Sequence, residues 1–152
     1  MKTLCTLIAT ALLVTTANAR IGETEKEIAA RYGRVLQSSE ERGEMPLRLY
    51  QSAGMQIGVV FLNGKSVAEF ISRTDKKDLS GTAVQLLLTA NADGTQWEEK
   101  MPFANGRGMW RIESKGITAI YGDAQLVIST DEFTKVSNEQ IARKEKEKLK
   151  GF

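Results

Sequence analysis

The residues best suited to chemistry in this chain are the paired glutamates of Trp97-Glu98-Glu99, set beside an apolar ring. Such a neighbour raises a carboxyl pKa toward the range of a general acid. A glycosidase would need a second carboxylate roughly 5–9.5 Å from the first; the alternative is a loop whose Trp97 covers the sheet and whose glutamates are solvated. Asn91-Ala92-Asp93-Gly94-Thr95 has the small polar residues of a calcium loop. Aligning Gly94 with that loop's invariant glycine, however, puts Thr89 at the first ligand position and Lys100 at the twelfth. Those positions need Asp and a bidentate Glu, so the run reads as the end of a helix. Asn105-Gly106-Arg107-Gly108 could offer N–H groups and a guanidinium to an anion. It lacks the spacing, lysine and Ser/Thr of a P-loop, and a tight turn opening a strand accounts for it.

What is missing narrows the chemistry further. The chain contains no histidine, and Cys5 is its single cysteine. A Ser-His-Asp triad, a Cys-His pair, a zinc site built on imidazole or thiolate and a histidine pH switch are all excluded. Catalysis would rest on Asp, Glu, Lys, Tyr or Ser alone. The expectation is therefore a protein that is not an enzyme, with no cofactor and no metal. A formal net charge of +2 is too small for a nucleic-acid footprint, which needs a concentrated basic surface.

The opening residues, MKTLCTLIATALLVTTANA, read as a secretory signal peptide over 1–19. Lys2 is the positive n-region, Leu4 to Val14 the apolar stretch, and Ala17-Asn18-Ala19 the small-x-small cleavage site. The apolar stretch is shorter than the about 20 residues that span a bilayer. Cys5 precedes most of it, which is the wrong place for a lipidated cysteine. The expected location is periplasmic or secreted. Without Cys5 the remainder can form no disulfide, so packing alone must hold it together.

The elements that would position these groups follow from caps, turns and periodicity. Thr24 and Glu27 form a capping box, Ile28, Ala29 and Tyr32 share a helical face, and Gly33 is a stop signal. Residues 34–45 read as a solvated loop. Leu47–Ser52, Met55–Leu62 and Lys65–Ser72 then read as strands, joined by Ala53-Gly54 and Asn63-Gly64 turns. Ser80 caps a second helix from Gly81 to about Ala92, with Val84, Leu87, Leu88 and Asn91 on one stripe and Leu86 broadening it. Residues 93–108 read as a loop. Met109–Ser114, Ile117–Tyr121 and Gln125–Thr130 form a second meander, with turns at Lys115-Gly116 and Gly122-Asp123. A charged helix closes the chain over 137–152.

The predicted fold class is α+β: an antiparallel sheet from two αβββ units, about 20–74 and 75–136, with helices on one face and a charged C-terminal helix. Leu47, Leu49, Ile57, Val59, Phe61, Val84, Leu87, Leu88, Trp110, Ile112, Leu126 and Ile128 are its expected interior. The pattern GETEKEIAARYG, Leu49-Tyr50 and IGVVFLNGKSV over about 21–72 resembles the BamE/SmpA-like and β-lactamase-inhibitor-like α-β domains. Its opening is also similar to that of small exported bacterial proteins of unassigned activity. The resemblance implies a non-enzymatic binding scaffold in the cell envelope. The chain departs from it in having no lipobox and in continuing RYGRVL where those proteins place a proline.

Two surfaces stand out as partner sites. Trp97, Met101, Phe103 and Arg107 combine the aromatic, Met and Arg types favoured in interface cores, if the loop that carries them is exposed; the alternative is that these side chains fill the sheet's second face. Arg143, Lys144, Lys146, Lys148 and Lys150 could contact an anionic lipid surface at about 1 kcal/mol each. Interleaved Glu145 and Glu147 suit a solvated helix instead. The function expected is an exported, non-catalytic protein-binding or scaffold module whose partner is another envelope or secreted protein. The alternative is a small carboxylate-based hydrolase acting on envelope polymers.

Overall fold

The computed structural model describes residues 21–40 and 45–150. The signal-peptide reading of 1–19, Glu41 to Glu44 of the polar loop and Phe152 lie outside the described residues. Each half of the chain is a helix followed by four strands. The first half is α1 (Glu25–Tyr32), β1 (Gln37–Ser39), β2 (Leu47–Ser52), β3 (Met55–Leu62) and β4 (Lys65–Arg73). The second is α2 (Gly81–Ala92), β5 (Glu98–Ala104), β6 (Arg107–Ile112), β7 (Ile117–Gly122) and β8 (Gln125–Thr130), followed by α3 (Asp131–Leu149). All eight strands form one antiparallel sheet in the order β1-β2-β3-β4-β8-β7-β6-β5. The halves meet through their last strands, β4 on β8, in a register from Ala68↔Ser129 to Ser72↔Gln125.

The α+β class, the internal duplication and the capped helices are as the sequence predicts. In α1 the Thr24 N–H donates to Glu27 Oε2 at 2.8 Å, and the Glu27 N–H donates back to Thr24 Oγ1 at 3.3 Å. Ser80 Oγ accepts from the Ala83 N–H at the start of α2. The unit is αββββ rather than αβββ, because β1 lies in the expected loop 34–45 and β5 in the expected loop 93–108. Both are edge strands. β1 is only Gln37–Ser39, and β5 carries Pro102 and register shifts against β6. An edge tolerates a residue without an N–H, and such irregularity erases the alternation by which a strand is read.

Strand alternation sorts the core. Tyr50, Ile57, Val59, Phe61, Ile71, Trp110, Ala119, Tyr121, Leu126 and Ile128 point to one face and are buried there with Ile28 and Tyr32 of α1 and Val84 and Leu88 of α2. Met45, Val60, Leu62 and Ala68 point to the other, where Phe133 and Val136 of α3 cover them. Helices α1 and α2 thus share one face, as expected, and the C-terminal helix α3 covers part of the other. Thr130 caps α3 through the Phe133 N–H, so this helix begins several residues before Ser137. Leu47 and Leu49, expected inside, are half-buried on the α3 side, and Leu87 is half-buried as well. Leu86, expected to widen the buried stripe of α2, is 66% exposed.

Trp110 anchors the second half. Its ring lies 6.3 Å from that of Phe103 in a stacked arrangement, and Phe103 is 5.5 Å from Tyr121. Gly108, two residues along β6, lies on the same face. A Cβ there would sit 2.4 Å from the far edge of the Trp110 indole. Gly108→Ala should therefore destabilise the fold by about 1–3 kcal/mol through overpacking. Urea denaturation checks this as a lower midpoint with an unchanged slope.

Candidate binding surfaces

The residues picked from residues 93–108 do not share one surface. Trp97 is half-buried against the main core, and its indole N–H donates to the Leu88 carbonyl at 2.7 Å, closing the end of α2. Phe103 packs on Trp110 and Tyr121. Met101 is 42% exposed and sits opposite Met109, whose side chain alternates to the other face from Trp110. Arg107 is exposed where β6 begins. A bulged hairpin splits what a flexible loop would have let converge. The paired glutamates are engaged separately: Glu98 bonds to Lys100 at 2.7 Å, and Glu99 accepts from the Phe103 N–H at 3.3 Å. Asp93 is a left-handed helix cap, and Lys115 Nζ reaches its carboxylate at 3.2 Å and the Ala92 carbonyl at 3.1 Å.

Arg143, Lys144, Lys146, Lys148 and Lys150 lie in the second half of α3 or at its C-cap, and every residue from 141 to 150 is exposed. The first turn of that helix is tied to the sheet. Arg111 Nη1 and Nη2 donate to the two Asp131 carboxylate oxygens, each at 2.9 Å. Its Nε donates to Glu113 at 2.7 Å, and Nη1 also reaches Thr118 Oγ1 at 2.8 Å. The Asp131 N–H donates to the Gly116 carbonyl at 2.9 Å. Three of these bonds tie the first turn of α3 to Arg111 and Gly116, and the other two orient the Arg111 guanidinium.

Two surfaces emerge that residue types alone did not reveal. The first lies between α1 and α2 at the β2–β3 turn. A groove of about 300 Å³ is lined there by Tyr32, Met55, Ile57, Ile71, Ala83 and Leu87, with Leu86 on its rim. No charged residue lines it, and α2 carries none along its length. That absence was readable in GTAVQLLLTANA, but the exposure of Leu86 depends on where α1 sits.

The second is the part of the α3-side face that α3 leaves uncovered. Gln56, Ser72 and Gln125 stand side by side on β3, β4 and β8, fixed by the Gln56↔Ser72 and Ser72↔Gln125 pairings. Concavities of about 470 and 380 Å³ flank this row and share it. Leu47 and Phe70 close in over Gly58, where a Cβ would lie 3.4 Å from Leu47 Cδ1. At the rim, Arg73 is tied to Asp75 by bonds of 2.8 and 2.6 Å, and this holds the Asp75 carboxyl down at about 2.

No family model and no curated protein matches the sequence. Among solved structures, the chain is similar to a cysteine-rich secretory protein from Staphylococcus aureus subsp. aureus Mu50, at 11% identity and a TM-score of 0.44. That match covers 76% of this chain and 48% of the other. It is also similar to an extracellular protein containing an SCP domain from Bacillus anthracis str. Ames, at 9% identity and a TM-score of 0.49. Here 88% of this chain and 51% of the other are covered, so the chain spans about half the length of each. Among the described residues, no helix is long and apolar enough to cross a membrane.

The Arg111 cluster makes stability depend on acid. Hydrogen bonding from Arg111 lowers the Asp131 pKa below its ordinary 3.8. A lowered folded-state pKa stabilises the fold above the ordinary value and loses that contribution as pH falls through the lowered one. Asp131→Asn should therefore melt below the parent protein at neutral pH. The gap should close as both are taken below pH 3.8. Thermal melts across that range, followed by circular dichroism, check both halves of the statement.

Proposed function

We propose that this chain is an exported, non-catalytic binding or scaffold module of the bacterial cell envelope, and that its protein partner docks on the outer surface of α2. One observation carries the reading: Leu86, 66% exposed, rims an apolar groove with no charge in its lining. In a chain with 26% charged residues, a neutral helix face beside an apolar recess has the make-up of an interface core, where charge is depleted. The partner side it fits is an uncharged apolar knob or helix of another envelope or secreted protein. A charged group placed there would be desolvated without compensation. The signal-like residues 1–19 and the BamE/SmpA-like pattern over 21–72 support the compartment and the scaffold role. The hydrolase alternative draws no support from the Glu98-Glu99 hairpin, where both carboxylates are already engaged.

The test is a photo-crosslinking amino acid at position 86, compared with one at Glu132 on the opposite side of the sheet. Position 86 should yield one discrete adduct in cells, and Glu132 none of the same mass. Burying a leucine stabilises by about 1.5–3 kcal/mol, so Leu86→Glu should weaken the captured complex by at least about tenfold. The exposed site should leave folding stability within about 0.5 kcal/mol. Equal labelling at both positions, or an adduct insensitive to Leu86→Glu, would contradict the assignment.

A further inference from the structure

We propose that the open part of the α3-side face is a separate binding site, and that its ligand is an uncharged glycan. The row of Gln56, Ser72 and Gln125 is the basis. A glutamine amide and a serine hydroxyl each both donate and accept, which is what successive sugar hydroxyls require. All three are half-buried, and among the described residues none of these side chains makes a hydrogen bond. Their bonding capacity is therefore open to a ligand. Strand pairing holds them in line across β3, β4 and β8, so the row is preorganised rather than assembled on binding.

The surroundings select against other ligands. Leu49, Phe70, Val127 and Ile120 border the row and offer apolar surface to the C–H faces of sugar rings. The concavities, about 470 and 380 Å³, fall in the size range of small-ligand sites. Charge does not favour an anion: Arg73 is ion-paired with Asp75, and one lysine, Lys76, and one aspartate, Asp123, line the same rim. An extended peptide gains its affinity from main-chain pairing at a sheet edge, and this site lies on a face, with β3, β4 and β8 all paired on both sides.

The experiment is an amide-resolved NMR titration of the purified protein with chitohexaose, cellohexaose and maltohexaose in turn. At least one should shift Gln56, Ser72, Gln125 and Val127 together, equally at low and high salt. The double variant Gln56→Ala/Gln125→Ala should weaken that binding by about tenfold or more, and the milder Ser72→Ala should weaken it less. Both sites are solvent-facing, so an unchanged melting temperature confirms the fold. Leu86→Glu should leave the titration untouched, which separates this site from the protein-docking patch. The proposal is overturned if none of the three sugars moves these amides, if the shifts gather around α2, or if only polygalacturonate binds and salt abolishes it.

Discussion

The pairing of β4 with β8 is the constraint on which the rest of the molecule depends. Each half of the chain builds a four-stranded sheet whose last strand would otherwise be an open edge. An unpaired edge of that length is a template for association. Joining the two last strands buries both edges at once and makes a single face from Tyr50 on β2 to Trp110 on β6. Only across such a face can α1 and α2 share one core, with Ile71 of β4 and Leu126 and Ile128 of β8 at its centre. The same pairing sets Ser72 beside Gln125 on the reverse side. The neutral polar row is thus a product of how the halves are joined, since neither half holds it alone.

The two faces are covered unequally. On one side α1 and α2 close the core but leave an uncharged groove between them. On the other, α3 covers only the end of the sheet near Met45 and Leu62, because Arg111, Asp131 and Gly116 fix its departure from β8. Beyond Gln140 it runs exposed to its end, carrying its lysines away from the sheet face. On the proposed reading, a protein docks on one side and a neutral glycan on the other, and neither contact reaches the core.

Much of this fold was legible from local signals. The Thr24/Glu27 box and the Ser80 cap stand where helices α1 and α2 begin, since a cap depends on neighbours a few residues away. The Asn63-Gly64 turn joins β3 to β4 with both residues at positive φ, as its composition demands. What failed depends on distant partners. The strand β5 hides behind Pro102 and its bulges, and Trp97 and Phe103 then turn inward because Leu88, Trp110 and Tyr121 wait for them. Glu69 lies fully buried under α1 at a position where alternation predicts an apolar residue, accepting from the Tyr32 hydroxyl at 3.4 Å. The polar row was invisible for the same reason. Gln56, Ser72 and Gln125 are far apart in sequence, and only the register brings them together.

Hydrogen exchange of individual amides tests the single joined sheet most directly. If β4 and β8 unite the halves, their amides exchange only through global unfolding. The protected amides of β2–β3 and of β6–β7 should then share one opening free energy and one denaturant slope with them. Two distinct sets of opening energies, one for the first helix and its strands and another for the second, would show that the halves unfold separately and that the β4–β8 pairing does not hold the sheet together.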